Sequence, residues 1–368
     1  MGNEQVAPAQ ALSFPCTGCG ATLRYAPGQE AMVCPQCQTV NSLTQADEQA
    51  RAAALTEHDY LAALQREAGS LPQQQVRVAS CSACGAGVEL VPPRVADQCP
   101  FCLTPLVLAQ AHDEALIAPA AILPFGIDEV RARAHFGRWL KGLWFAPNAL
   151  LRLHRLEGGL RGVYLPYWTY DARAHTPYAG WRGEHYWETE YYSENGQRRS
   201  RQVRRTRWYP ASGAVRDAFD DVLVPATRSL PHELLDELEP WPLEALQPYR
   251  GEYVSGFVAE AYQVGLESGF GRARERMNEA IASHVRRDIG GDEQRIDTMT
   301  PEFSGLHFKH ILLPLWLAVY RFEAKTFRVA VNAVTGEVHG ERPWSAWKIS
   351  LAVLAVLLCV ALVWWLGR

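Results

Sequence analysis

The sequence predicts an α+β protein: two four-cysteine zinc ribbons, then a mixed α+β domain, then a single C-terminal transmembrane helix. Three observations lead to this reading. Eight of the nine cysteines form two copies of CxxC, fourteen residues, CxxC. Residues 111–341 alternate β-type aromatic stretches with helical periodicity. Residues Ile349–Leu366 form an uncharged apolar run of eighteen.

The cysteines come first. Cys16, Cys19, Cys34 and Cys37 make one set, and Cys81, Cys84, Cys99 and Cys102 make the other. A CxxC turn sets two sulfurs close enough to share one ion, and a second turn closes a tetrahedron of thiolates around Zn²⁺. The segments 16–39 and 81–104 also share Gly20/Gly85, Ala21/Ala86, Pro27/Pro92, Ala31/Ala96, Pro35/Pro100 and Thr39/Thr104, which marks an internal duplication. Gly20 and Gly85 follow their knuckles, where a positive φ is expected. Ala21–Tyr25 and Val88–Val91 read as short strands. Two matched pairs per module point to metal rather than a redox dithiol, and the N-terminal MGNEQVAPAQALSF lacks the pattern of a secretory signal. Gly2 has no myristoylation context, because Val6 stands where Ser or Thr is needed. Four thiolates leave no open coordination position, so two structural Zn²⁺ ions are expected. Arg24 balances Glu30 in the first ribbon, and Arg94 faces Glu89 and Asp97 in the second. Neither ribbon offers the basic face that a phosphate reader needs, which favours protein contact.

The apolar run spans about 27 Å as a helix, close to the hydrocarbon thickness of a bilayer. Trp344 and Trp347 flank one end; Trp364 and Trp365 flank the other. Arg342 and Lys348 precede it, while only Gly367 and Arg368 follow. The expected product is tail-anchored and single-pass in the inner (cytoplasmic) membrane, with its N-terminal bulk cytoplasmic, where reducing conditions keep thiols available. The lipid contact of this helix is the first expected partner. The formal net charge of −4 gives no general pull toward nucleic acid.

The domain plan is ribbon 1 over 12–43, a helical linker over 44–75, ribbon 2 over 76–108, an α+β domain over 111–341 and the anchor over 344–368. Thr44 and Asp47 resemble a capping box opening one linker helix, with Leu61, Leu64 and Ala68 as its stripe and Gly69 and Pro72 as its stop. Asp128–Lys141 reads as a helix, followed by strands Gly162–Tyr170, Trp181–Tyr192, Arg198–Tyr209 and Val222–Pro225. Helices are expected over Phe257–Glu267 and Arg272–Arg287, the second with a core stripe of Ala273, Met277, Ala280, Ile281, His284 and Val285. A meander over Ile311–Phe322, Thr326–Asn332 and Glu337–His339 closes the domain. Leu165-Pro166-Tyr167-Trp168 and Leu313-Pro314-Leu315-Trp316 echo each other.

Asn195-Gly196 is the preferred type I′ pair, so facing residues of its hairpin have numbers summing to 391. Glu190 then faces Arg201, Glu184 faces Arg207, Tyr192 faces Arg199, Tyr186 faces Arg205 and Trp187 faces Arg204. Local pairing, lipid headgroups and nucleic acid all remain open for these arginines.

No GxxxxGK[ST] occurs, and His232-Glu233-Leu234-Leu235-Asp236 lacks the second histidine of a zincin. His307 and His310 read as surface or core residues, and Asp220-Asp221 as turn or cap residues unless a spatial partner equips them for acid–base work.

The runs LPYWTYDA (165–172), FDDVLV (219–224), YVSGFVAEAY (253–262), GGDEQRI (290–296), FKHILLPLWLAVYRF (308–322) and VNAVTGEVHGERP (331–343) carry a resemblance. With the ribbons and the anchor, they make the chain similar to a family of bacterial zinc-ribbon, C-terminally anchored membrane proteins. Such proteins are sometimes labelled similar to primosomal protein N′ (replication factor Y), a superfamily II helicase. The chain departs from a helicase by lacking the P-loop lysine and a Walker B carboxylate pair. Three functions are therefore carried forward. One is a non-catalytic, membrane-tethered adaptor for an unidentified cytosolic protein. The second is a zinc-ribbon nucleic-acid-binding protein linked to replication or transcription. The third is an unrecognised enzyme site near Asp220, Asp221 or His310.

Overall fold

A computed structural model describes residues 14–43, 48–65, 71–90, 98–147, 159–194, 196–322 and 325–367. It shows two cysteine ribbons, a mixed α+β body and one apolar C-terminal helix. The expected capping box at Thr44 and Asp47, Ala68, Gly69, Arg94, Asp97 and Asn195 lie outside the described residues.

Two very long strands dominate the body, the first arm strand Arg161–Glu194 and the second arm strand Gln197–Pro225. They pair antiparallel in the register set by the sum of 391 from Gln197↔Glu194 to Phe219↔Ala172. A bulge at Asp220-Asp221 then shifts the pairing to Val222↔Tyr170. The sequence suggested four separate strands because glycines and prolines interrupt it. In the fold these glycines are places of close approach. A Cβ on Gly180 would collide with the Arg295 carbonyl of the neighbouring strand Glu293–Met299, and one on Gly213 would meet the Tyr178 ring.

The sheet order runs second arm strand, first arm strand, return strand Glu302–Phe322, then Lys325–Asn332 and Val338–Gly340. The echoed Leu-Pro pairs meet here: Leu165 sits directly opposite Leu313. Each proline stands where its strand changes flanking partner. Before Pro166 the first arm strand pairs with Val258–Ala259; after it, with Val224 and Pro225. Before Pro314 the return strand pairs with Ala121–Ile122; after it, with Asn332. A residue without an N–H is tolerated at such a gap in a ladder.

The core helix Leu266–Ile289 lies along the arm. Its buried residues are Gly269, Ala273, Met277, Ile281, Val285 and Ile289, each four residues after the last. On a 3.6-residue helix an i+4 row is an inclined ridge, which suits a twisted sheet. Ala280 of the expected stripe is exposed, and His284 is half-buried with its Nδ1 2.8 Å from Asp217 Oδ1. The expected helix over Phe257–Glu267 is not formed. Val258–Ala259 is instead a parallel strand against Val163–Tyr164, and the chain stays extended until Gly265.

The helical linker is also corrected. It forms two short helices, Glu48–Ala54 and Tyr60–Gln65, split by His58–Asp59, which pair with Phe308 and His307. Tyr60 is buried against Tyr170 and Phe270, and Asp59 accepts from the Ala62 N–H at 2.6 Å. That packing turns Leu61 and Leu64 outward, at 54% and 45% exposure.

Beyond Gly183 the hairpin leaves the body as a free two-stranded ribbon, because Glu293↔Gly183 is the last pair with the third strand. Arg201 pairs with Glu190 as the register requires, but Arg199–Glu194 and Arg205–Glu188 are diagonal, and Arg182 pairs with Glu184 two residues along its own strand. Arg207 lies over Tyr186 rather than against Glu184. Strand twist and long side chains make diagonal neighbours reachable.

Candidate metal centres

Each ribbon repeats one backbone device. Cys16 N–H donates to Ala21 O at 2.7 Å and Gly20 N–H to Cys16 O at 2.9 Å; Cys81 N–H donates to Ala86 O and Gly85 N–H to Cys81 O, both at 2.8 Å. Gly20 and Gly85 take φ of 75° and 76°, as the knuckle requires. The second knuckles match as well: Cys34 N–H donates to Thr39 O, and Cys99 N–H to Thr104 O. Gln38 and Leu103 occupy the same left-handed conformation, at 60° and 64°.

These turns bring four sulfurs together twice, each set within 4.8 Å. Cys16–Cys37 is 3.5 Å and Cys19–Cys34 is 3.4 Å; Cys81–Cys102 and Cys84–Cys99 are both 3.5 Å. A disulfide would need about 2.05 Å. A tetrahedron with metal–sulfur bonds of about 2.3 Å has edges of about 3.8 Å, so the donor set fits one thiophilic ion per site. Thr39 Oγ1 lies 3.0 Å from Cys37 Sγ, and Thr104 Oγ1 lies 3.3 Å from Cys102 Sγ. The shared threonines thus bond the last sulfur of each set, a role that sequence comparison of the repeats alone did not assign. The Thr39 hydroxyl and its backbone amide draw the Cys37 thiol down to about 6, and the Cys99 thiol draws Cys84 down to about 5. Each favours a thiolate, the form that binds metal.

The sites differ in surroundings. Cys19 and Cys37 are exposed, whereas Cys81, Cys99 and Cys102 are buried in a cluster with Phe101, Leu234 and Leu235. Both ribbons are docked on one segment, 253–263, which runs from the end of the short helix Gly251–Val254 through a turn into the strand Val258–Ala259. Tyr25 N–H donates to Ser255 O, and Ser255 Oγ donates to Leu23 O. Ala261 N–H donates to Gly87 O, and Gln263 Nε2 donates to Gly85 O at 2.9 Å. Between these contacts Glu260 is buried against Ser229, and burial pushes its carboxyl up to about 8.

A third group, Glu57, Asp171 and Asp221, also converges within 4.8 Å. Lys309 already supplies its cation, 3.0 Å from Glu57 and 2.9 Å from Asp221. Asp221 takes φ of 51° at the bulge, and its N–H donates to Asp171 Oδ1 at 2.8 Å. Burial, then the Glu57 hydrogen bond, pushes Asp171 up to about 7. The sequence singled out Asp220-Asp221 but missed Lys309, Glu57 and Asp171, which only the bulge and the split linker bring together. Asp220 is exposed, and His310 is buried with Nδ1 2.8 Å from Ile117 O.

The C-terminal helix Ala346–Leu366 is long and apolar enough to cross a membrane by length and composition, and its most apolar stretch is not buried among the described residues. Ser345 N–H donates to Phe145 O and Lys348 Nζ to Ala146 O, both at 2.8 Å.

The architecture defines a class: a protein of two four-thiol metal ribbons clamped on an α+β body that ends in one apolar helix. Comparison adds one relative. The chain is 26% identical over 241 residues to "Uncharacterized protein YdjG" of Bacillus subtilis (strain 168), covering 64% of this chain and 66% of that protein. No family model and no solved structure matches.

Proposed function

We propose that this chain is a non-catalytic adaptor, tethered in the inner (cytoplasmic) membrane by residues 346–366 with its N-terminal bulk cytoplasmic, which presents a surface for a cytosolic protein. Two structural Zn²⁺ ions are held by Cys16, Cys19, Cys34 and Cys37 and by Cys81, Cys84, Cys99 and Cys102. The observation that carries this reading is that both cysteine sets are closed by four thiols while their ribbons are fastened to the 253–263 run. Such sites supply stability and shape rather than an open coordination position. The exposed second cysteine of each knuckle in the first ribbon, Cys19 and Cys37, and the exposed Leu61 and Leu64 offer contact surface. The resemblance to bacterial zinc-ribbon membrane proteins supports the same reading.

Crosslinking in intact cells, followed by detergent extraction and metal counting, tests it. The expected product is membrane-bound, holds two zinc ions per chain and carries a protein partner that resists nuclease. A metal-free, soluble product without a protein partner would overturn it.

A second reading, a nucleic-acid-binding protein linked to replication or transcription as the primosomal label suggests, rests on Arg198 and Arg204. No ion pair reaches either among the described residues. Arg199, Arg201 and Arg205 have carboxylate partners, which leaves few charges for phosphates. Helicase activity is no part of either reading.

A further inference from the structure

The free ribbon is two-faced. Alternation assigns the eleven pairs from Glu184↔Arg207 to Glu194↔Gln197 to opposite sides. One face carries Glu184, Glu188, Glu190 and Glu194 interleaved with Arg199, Arg201, Arg205 and Arg207, and it pairs charges within itself. The other face has Trp187 opposite Arg204, Tyr191 opposite Ser200 and Arg198 opposite Ser193. From Trp187 outward this second face holds two arginines and no carboxylate. Trp187 and Tyr191 are 67% and 63% exposed, with Arg198 stacked 4.8 Å over the Tyr191 ring. Trp208, 40% exposed opposite Gly183, continues the aromatic row toward the body, where Asp292 and Glu293 are engaged by His185.

We propose that this Trp187–Tyr191–Arg198–Arg204 face docks on the anionic surface of the bilayer that holds the C-terminal helix. The proposal rests on the membrane tether described above. Three observations favour a lipid surface over other occupants. Net positive charge without a carboxylate complements anionic headgroups. Tryptophan and tyrosine favour the membrane–water interface, where ring and polar edge are both accommodated. The face covers about 400 Å², a length of about 36 Å by two strands, whereas a stable contact with a second copy needs about 800 Å² per partner. A bilayer is always within reach of a tethered chain and demands no shape complementarity.

The contact sets an orientation. The C-terminal helix attaches beside Ala146, which shares a core cluster with Leu160, at the start of the first arm strand. Trp187 lies twenty-six residues further along that strand than Arg161, about 85 Å of extended chain. Docking therefore lays the arm along the membrane and gives the body a second, salt-sensitive foothold.

Hydrogen exchange of the full-length protein in lipid nanodiscs tests this. Strong protection of 349–366 in discs of either composition reports the tether independently. In discs containing phosphatidylglycerol, amides of 184–194 and 197–207 are expected to exchange at least threefold more slowly than in phosphatidylcholine discs, and 0.5 M salt should cancel the difference. Arg198→Gln with Arg204→Gln should abolish it; Arg201→Gln with Arg205→Gln, equal in charge but on the opposite face, should retain it. Equal exchange in both lipids, or equal loss in both double variants, overturns the proposal. So does protection in detergent by an oligothymidylate, which would assign the face to nucleic acid, or protection that tracks protein concentration, which would assign it to a second copy.

Discussion

Lys309 Nζ lies 2.9 Å from Asp221 Oδ1 inside the body, with the lysine only 5% exposed. Glu57 completes the pair from the segment between the ribbons. One buried cation thus ties that segment to the return strand and to the bulge of the second arm strand. Lys309→Met should leave these carboxylates uncompensated and lower stability by about 3 kcal/mol. Denaturant unfolding measures the loss, and faster hydrogen exchange over 48–65 locates it. Adding Asp221→Asn should restore part of it.

The two metal sites should release their ions at different rates. Cys19 and Cys37 face solvent, whereas Phe101 and its neighbours cover the second set. A chelator should therefore remove one equivalent per chain at least about tenfold faster than the other. Native mass spectrometry follows both. Cys19→Ser should eliminate the fast equivalent and spare the slow one; Cys99→Ser should cost the body its solubility.

Stability should fall in mild acid because of His310. Burial holds its imidazole down to about 4, below the unfolded value of about 6.5. Above pH 6.5 neither state binds this proton. Between 6.5 and 4 only the unfolded state does, so the contribution is lost as pH drops. From pH 6.5 to 5 one such site removes about 2 kcal/mol. Melting temperatures across that window should show a smaller decrease for His310→Gln than for the parent chain.

Gly269→Ala should destabilise by about 1–3 kcal/mol, since the added methyl would collide with the Tyr170 hydroxyl and the Trp168 ring. Gly271→Ala, two residues along the same helix with open space around it, should instead stabilise by about 0.5–1 kcal/mol. Thermal unfolding of the two variants side by side separates the packing effect from helix propensity.

Truncation after Pro343 should move the protein from the membrane pellet to the soluble fraction, with both metal equivalents retained. Fractionation with metal analysis of the supernatant checks both outcomes.

Local chemistry made much of this molecule legible in its sequence. The CxxC repeats specified two four-sulfur clusters because ligand spacing and turn geometry are short-range properties. The Asn195-Gly196 pair specified the arm register, since a two-residue loop fixes every later pair by counting. The apolar run of 349–366 announced its helix by composition.

Tertiary structure alone decided the rest, because those features depend on partners far along the chain. Strand fusion depended on Arg295 approaching Gly180, and the splitting of the linker on Tyr60 finding Tyr170 and Phe270. Residues 258–263 stay out of the expected helix because the first arm strand and the second ribbon take up their backbone groups. The cation that joins Glu57, Asp221 and the return strand belongs to the same class: its partners lie 88 and 252 positions from Lys309, and the pairing acquires meaning only when the fold takes the lysine out of water.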